Sequence, residues 1–221
     1  MKTIFRLDAS IRKDGSVTRA IADTLQSALV AELPASTIVH REIGLTPLPS
    51  AAWAASAFAG FTPQDQRTDE QQQAKALAAE LADELVPADA FIFAIPLYNF
   101  GVSQHAKTWV DILLTDPRFA PGGPKLLAGR PAYLVVAKGG GYGAGTPRHG
   151  WDHATGWMQR IFADVLGLDV QLIESELTLA DVTPAMAGLR DLAAQNLKNA
   201  HGAATEHGKR LALHLTTAAA A

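Results

Sequence analysis

Hydroxyl and cationic side chains are concentrated in the first loop of the chain, between Asp8 and Ala20. They are Ser10, Arg12, Lys13, Ser16, Thr18 and Arg19. A helical pattern begins directly after them, and the free N–H groups and dipole at a helix start attract anions. The loop therefore predicts a phosphate site, although a plain helix cap by Ser16 or Thr18 is the alternative. It matches neither the glycine-rich loop of nucleoside triphosphate sites nor the dinucleotide fingerprint.

A second polar loop follows an apolar strand that ends at Pro96, and its sequence is LYNFG, residues 97–101. A simple turn accounts for Asn99, which tolerates turn geometry, and for Gly101, which allows entry into the next helix. It accounts poorly for the aromatic residues Tyr98 and Phe100 in so polar a place. The alternative is a flat, partly polar ligand whose edge is recognised by main-chain groups.

A third loop, AKGGGYGAG at residues 137–145, follows the next apolar strand. Three consecutive glycines cost backbone entropy that a simple turn does not require, but they let the main chain approach a ligand closely. A mobile surface loop is the alternative. The first loop would bind a phosphate, the second the edge of a planar ring, and the main chain of the third would approach that ligand closely. Together these features indicate a mononucleotide with a large ring. Flavin mononucleotide (FMN) fits better than an adenine nucleotide, because no ribose-binding side chain is obvious.

The elements that must position these loops alternate between strand and helix along the chain. Strands are predicted at residues 3–8, 36–43, 88–96, 130–141 and 168–176. Helices are predicted at residues 20–33, 68–85, 103–114, 150–166 and 184–215, the last interrupted near His201-Gly202. Residues 44–66, rich in glycine, proline and aromatic side chains, are interpreted as an excursion without regular structure.

This alternation predicts a three-layer α/β fold: a five-stranded parallel sheet with helices on both faces. The strand at 88–96 is apolar on both faces, which is typical of a central strand. Ligands of such sheets bind outside the carboxyl ends of the strands, where the three loops should meet. We interpret residues 1–221 as one domain, with 216–221 as a frayed tail.

Composition excludes several classes of function. The chain has 221 residues, a net charge of −3 and no cysteine, so thiolate catalysis, disulfides and cysteine metal sites are excluded. A mildly acidic chain gives no reason to expect a nucleic acid or membrane partner. The apolar stretch at the N-terminus is too short for a signal peptide, and we expect a cytoplasmic protein. His149 and His153 are interpreted as solvated side chains rather than metal ligands, and no metal site is predicted.

The chain resembles the FMN-dependent NADH:quinone oxidoreductases, also called azoreductases, which have a flavodoxin-like fold. The most specific match is PLYNFGVS at residues 96–103, followed by Lys107, Trp109 and Asp111. The first loop resembles the phosphate loop of that family, with Thr18 in place of a second serine. AKGG at 137–140 resembles its Ser-Arg-Gly-Gly, so Ala137 and Lys138 are departures. The segment 116–129 is shorter and richer in Gly and Pro than its usual counterpart, which bears on substrate preference.

The resemblance implies a set of cofactor-binding residues and no catalytic side chain, since the flavin carries the chemistry. The FMN phosphate would be held by the hydroxyls of Ser10, Ser16 and Thr18 and by the backbone N–H of Val17. The ring would be flanked by Pro96, Leu97, Tyr98, Asn99 and Phe100. Its pyrimidine side would face Ala137, Lys138, Gly139 and Gly140, with main-chain donors and the Lys138 ammonium stabilising charge on the reduced ring.

The resemblance also implies the activity: ping-pong transfer of two electrons from NADH or NADPH through FMN to a quinone or an azo compound. It further implies a homodimer with FMN at the subunit boundary, and we place the apolar residues 44–66 in or beside that boundary. Stacking surfaces for ligands are expected among the aromatic side chains Phe100, Phe119, Trp53, Phe58 and Phe61, each of which could equally be core. Two alternatives remain open: an electron carrier of the flavodoxin type, and a binding or regulatory protein that has lost the flavin.

Overall fold

The computed structural model describes residues 1–120 and 122–217. Its strands are β1 (Thr3–Asp8), β2 (Thr37–Glu42), β3 (Ala90–Ala94), β4 (Leu97–Tyr98), β5 (Gly101–Val102), β6 (Pro131–Ala137) and β7 (Asp169–Ser175). Its α-helices are α1 (Val17–Glu32), α2 (Ala51–Ala59), α3 (Asp69–Leu85), α4 (Gln104–Leu113), α5 (Thr155–Gln159) and α6 (Arg190–Thr217). Two 3₁₀ segments cover Gln64–Gln66 and Pro184–Leu189, and a π-helical segment covers Arg160–Val165.

Five parallel strands form the main sheet, as the sequence predicts, and their order is β2-β1-β3-β6-β7. Successive residues of β3 face opposite cores, and every one of them is buried. Phe91 and Phe93 pack with Trp109 of α4 on one face, while Ile92 belongs to the core under α1 and α6 on the other. The central position expected for this strand is therefore confirmed.

The helix starts follow from local capping. Thr68 closes a capping box with Gln71 at the start of α3, and Ser103 accepts a hydrogen bond from the N–H of Ala106 at the start of α4. Each cap satisfies backbone N–H groups that have no partner inside the helix. These two helices consequently begin within a residue of their predicted starts.

Two predicted elements were wrong. Residues 44–66 contain α2, whose alanines and aromatics form a helix that the glycine and proline signals around it obscured. The helix expected from Gly150 begins only at Thr155, because the carboxylate of Asp152 accepts hydrogen bonds from the N–H groups of Ala154 and Thr155. It then continues as a π-helical segment rather than an α-helix.

The C-terminal helix α6 also differs from the prediction. It runs without a break past His201-Gly202 and includes Thr216 and Thr217, which were assigned to a frayed tail. The rest of that tail, residues 218–221, lies outside the described residues. Gly208 lets α6 approach α1 closely, since a Cβ there would lie 2.4 Å from the carbonyl oxygen of Leu25. Packing against α1 therefore outweighs the weak helix propensity of the glycines.

Within residues 1–120 and 122–217, none of the helices combines the length and apolar character needed to cross a membrane.

Candidate functional site

The loops after β1, β3 and β6 meet at the carboxyl edge of the sheet around a cavity of about 150 Å³, called here the inner cavity. Most of the predicted site residues line it: Ser10, Ser16, Val17, Thr18, Pro96, Leu97, Tyr98, Ala137 and Gly139. Separate stretches of sequence are thus brought together by the parallel sheet, whose strands all end at this edge.

One end of the inner cavity is built from hydroxyl groups at the start of α1. The Ser16 hydroxyl caps the helix by accepting from the N–H of Arg19 at 3.4 Å, and it lies 3.3 Å from the Thr18 hydroxyl. The Ser10 hydroxyl accepts from the N–H of Arg12 at 3.2 Å. Ser16 is therefore both a helix cap and a cavity residue, and the phosphate site stays a prediction.

The donor set at this end fits a phosphate group. The cavity is lined by three hydroxyls, by Arg12 and by the N-terminus of α1. None of the described residues that line it carries a carboxylate. Helix N-termini and hydroxyls of this kind stabilise phosphate oxygens.

The second loop forms a two-residue hairpin turn between β4 and β5. Asn99 and Phe100 both adopt left-handed backbone geometry, with φ of 48° and 67°. Asn tolerates that geometry, whereas a bulky aromatic in it costs on the order of 1–3 kcal/mol. Gly101, expected to provide conformational freedom for helix entry, instead begins β5 and is not among the residues with positive φ.

Contacts from a later part of the chain hold Phe100 in this geometry. Its ring meets Trp151 edge-on at a centroid distance of 5.3 Å and Tyr142 at 6.4 Å. The Arg148 guanidinium lies 5.6 Å from the ring centroid, and the Phe100 carbonyl accepts from the N–H of His153 at 2.9 Å. Phe100 itself lines neither cavity described here, and its expected place beside the ring stays a prediction.

A larger, more open cavity of about 860 Å³, called here the outer cavity, lies next to the inner one and shares Tyr98 with it. Asn99 lines it, together with His105, Lys107, His153 and Trp157. His153 is exposed, as predicted, but its position beside a cavity was not predicted. The Tyr98 hydroxyl connects the two spaces, since it lies 3.3 Å from the Ser10 hydroxyl and accepts from the N–H of Ile11 at 3.3 Å.

The Lys138 side chain does not line either cavity, although its neighbours Ala137 and Gly139 do. Its ammonium is 2.9 Å from Asp152 and pairs with Glu174 as well. Burial opposes its charge, but hydrogen bonds with these carboxylates outweigh it and hold the pKa of Lys138 above its usual value. Those carboxylates balance the charge of the ammonium, and its expected role at the ring stays a prediction. Gly140 also lies outside the lining residues.

Burial likewise opposes the charge of Asp152, but hydrogen bonds from Lys138 and Thr155 prevail and lower the pKa of Asp152 to about 2. The same carboxylate starts α5 and anchors Lys138. The ion pair therefore ties the third loop to the sheet and to α5.

A fourth loop, after β7, completes the inner cavity and was missed from the sequence. Thr178 and Leu179 line the cavity. Their N–H groups donate to the carbonyls of Lys138 and Gly139, at 3.1 and 3.2 Å. The available signal was positional: β7 is parallel to β6, so its carboxyl end also falls at this edge.

The aromatic side chains considered as stacking surfaces separate into two groups. Phe119 is 6% exposed and belongs to the core. Trp53, Phe58 and Phe61 are 50%, 66% and 88% exposed. They lie on and directly after α2, outside both cavities.

The amino-acid sequence is similar to a known protein family and to several named relatives. A family model described as a flavodoxin-like fold matches residues 2–200. The FMN-dependent NADH:quinone oxidoreductase of Frankia alni is 37% identical over 194 residues, covering 87% of this chain and 92% of that protein. The enzyme of the same name from Streptomyces avermitilis is 32% identical over 213 residues, covering 96% and 98%.

Solved structures share the fold at lower identity. An FMN-dependent NADH-azoreductase from Bacillus anthracis, in complex with FMN, superposes with a TM-score of 0.75 at 19% identity. The match covers 96% of this chain and all of that one. An azoreductase named AzrA gives a TM-score of 0.74 at 18% identity over 94% of this chain.

Proposed function

Because the chain belongs to the family of FMN-dependent NADH:quinone oxidoreductases with a flavodoxin-like fold, we propose that it is itself such an oxidoreductase. It would bind FMN and transfer two electrons from NADH or NADPH to a quinone or an azo compound. The observation that carries this proposal is the junction at Tyr98 between the hydroxyl-lined inner cavity and the larger outer cavity. A phosphate and a large ring are the two parts of FMN that such a pair of spaces would hold.

The inner cavity would take the phosphate. Ser10, Ser16 and Thr18 would donate their hydroxyls, and the N–H groups at the start of α1, including that of Val17, would complete the set. The ring would lie along Pro96, Leu97, Tyr98 and Asn99, beside the left-handed turn at Asn99–Phe100.

When bound, FMN supplies the redox chemistry, and the protein supplies binding, orientation and electrostatics. Ala137 and Gly139 border the inner cavity, whereas the Lys138 ammonium between them lines neither cavity and is paired with Asp152 and Glu174. The outer cavity is open enough to admit the nicotinamide donor and then the acceptor in turn. That arrangement supports a ping-pong order.

The first test is the visible spectrum of the purified protein, followed by addition of NADH or NADPH. We expect a yellow protein whose flavin absorption bleaches with the nicotinamide and returns with a quinone. Steady-state NADH oxidation with varied quinone should give the parallel double-reciprocal lines of a ping-pong reaction. A colourless protein that binds no added FMN would instead favour a flavin-free binding protein, and negligible NADH turnover by the yellow protein would favour an electron carrier.

We also propose a homodimer in which residues 44–66 lie at the boundary. The support is the exposure of Trp53, Phe58 and Phe61, which are close in sequence, because large exposed apolar patches usually mark interaction surfaces. A monodisperse monomer in light scattering would contradict this. Residues 1–221 would form one FMN-binding domain that acts in the cytoplasm.

A further inference from the structure

The Arg19 guanidinium lies behind the first loop, with its side chain 13% exposed. Its Nε donates to the carbonyl of Arg12 at 3.2 Å, and Nη2 donates to the carbonyl of Ser10 at 2.7 Å. Its remaining hydrogen bonds go to carboxylates: Nη1 to Asp8 and Glu42, and Nη2 to the other oxygen of Glu42 at 2.9 Å.

These contacts account for every donor of the side chain. A guanidinium carries five N–H groups and accepts nothing, and Arg19 has five acceptors here. Its charge is balanced by Asp8 and Glu42. Arg19 therefore has no donor left for a ligand in the inner cavity, although it is one of the cations that make this loop look like a phosphate site.

The two carbonyls that Arg19 holds determine where the following N–H groups point. In a planar trans peptide the C=O and the next N–H point in opposite directions. A Ser10 carbonyl directed at Arg19 therefore turns the Ile11 N–H away from it, and that N–H does meet the Tyr98 hydroxyl at the cavity. The Arg12 carbonyl fixes the direction of the Lys13 N–H in the same way.

On the side opposite Arg19, the Ser10 carbonyl packs tightly against the backbone of Gly44. A Cβ on Gly44 would lie 2.0 Å from the Ser10 carbonyl oxygen, so this carbonyl is enclosed between Gly44 and Arg19. Glu42, which grips Arg19, also accepts from the N–H groups of Gly44 and Leu45 at 2.8 and 3.0 Å. The end of β2 therefore supports the first loop through Arg19.

We propose that Arg19 is a positioning residue for the phosphate of FMN: it orients the backbone of residues 10–13 from behind without contacting the phosphate. This rests on the proposed FMN binding. The expected consequence is selective, because an incorrectly oriented loop weakens a ligand that carries the phosphate and leaves its phosphate-free form unaffected.

The test compares Arg19→Lys with the matched control Arg41→Lys. Arg41 lies on β2, is 19% exposed in its side chain and also pairs with two carboxylates, Glu80 and Glu84, but it holds no carbonyl of the loop. The dissociation constants of the apoproteins for FMN and for riboflavin are measured by quenching of flavin fluorescence.

We expect Arg19→Lys to bind FMN about tenfold more weakly, equivalent to about 1.4 kcal/mol, with riboflavin affinity changed less than about twofold. A lysine keeps the charge but has three donors, so it cannot serve both carbonyls and both carboxylates. Arg41→Lys should leave both affinities unchanged. If Arg19→Lys fails to fold, as judged by its thermal unfolding, Glu42→Gln provides the second variant and should weaken FMN in the same selective way.

Unchanged FMN affinity in Arg19→Lys would overturn the inference while leaving the proposed function intact. An equal loss for both flavins would also overturn it, since Arg19 would then support only the general fold. If the wild-type protein bound neither flavin, the proposed function would fail and the inference with it.

Discussion

Replacing Gly44 by alanine tests the packing behind the first loop directly. A Cβ at this position would lie 2.0 Å from the oxygen and 2.5 Å from the carbon of the Ser10 carbonyl, and 2.8 Å from the carbonyl carbon of Ala9. Carbon contacts in protein interiors are about 3.5–4.0 Å, so the backbone of Ser10 must move by more than about an ångström. The neighbours are main chain and cannot rotate away.

The cost follows from what that movement breaks. Overpacking alone costs about 1–3 kcal/mol. The charge-assisted bond from Arg19 to the Ser10 carbonyl, 2.7 Å long, contributes about 1.5–3 kcal/mol more. We expect a total loss of about 3–5 kcal/mol in the free energy of unfolding, a large part of the roughly 5–15 kcal/mol typical of a protein.

The assay is urea denaturation at pH 7 together with FMN titration of the folded variant. With a urea dependence of about 1–3 kcal/mol/M, the midpoint should fall by at least about 1 M. Gly188→Ala is the control, because a Cβ there meets nothing within 4 Å and its φ is not positive. A Gly44→Ala protein with the wild-type midpoint and FMN affinity would refute the close approach of Gly44 to Ser10.

Three further predictions concern other parts of the site and the exposed aromatic side chains on and after α2. Ser16→Ala should lower the free energy of unfolding by about 1 kcal/mol through loss of the α1 cap. It should also weaken the affinity for FMN more than that for riboflavin. Equal effects on both affinities would contradict a contact between Ser16 and the phosphate. Asp152 has a pKa of about 2 in the folded protein, below its unfolded value, so its stabilisation is present above about pH 4 and is lost as the pH falls towards 2. The free energy of unfolding of Asp152→Asn, measured by urea denaturation, should therefore be about 1–2 kcal/mol below that of the wild type at pH 7 and converge with it near pH 2. A difference independent of pH would contradict the ion pair. Phe58→Asp with Phe61→Asp should shift the light-scattering mass from dimer to monomer without changing the thermal midpoint of the subunit, and an unchanged mass would place the boundary elsewhere.

Much of the fold could be predicted because hydrophobic pattern and strand order are strongly coupled in parallel sheets. Phe91, Ile92 and Phe93 are apolar without alternation, and that alone placed β3 at the centre. By contrast, α2 was missed because glycine and proline lie on both sides of a short helix. The late start of α5 depends on the side chain of Asp152, whose partners come from distant parts of the sequence.

In the candidate site, too, some features could be predicted from the sequence and others could not. Ser10, Tyr98 and Gly139 follow strand ends, and the position of a loop at the sheet edge is enough to bring them together. The direction of a side chain is a different matter. Lys138 appeared to be a cation for the ring, but its ammonium turns to Asp152 and Glu174, and Arg19 turns all its donors to the protein. The direction of each of these side chains depends on carboxylates that are distant in sequence, so it cannot be read from the local sequence pattern.

The left-handed turn at Asn99–Phe100 has a consequence for the order in which the protein folds. The ring that stabilises it meets Tyr142, Arg148 and Trp151, all more than forty residues later in the chain. A turn that is unfavourable on its own cannot nucleate structure, and contacts of such long sequence separation form slowly. The hairpin should therefore close late, after the sheet has brought the segment beyond β6 into place, so that a nascent chain stopped before residue 142 would carry this corner in an open form.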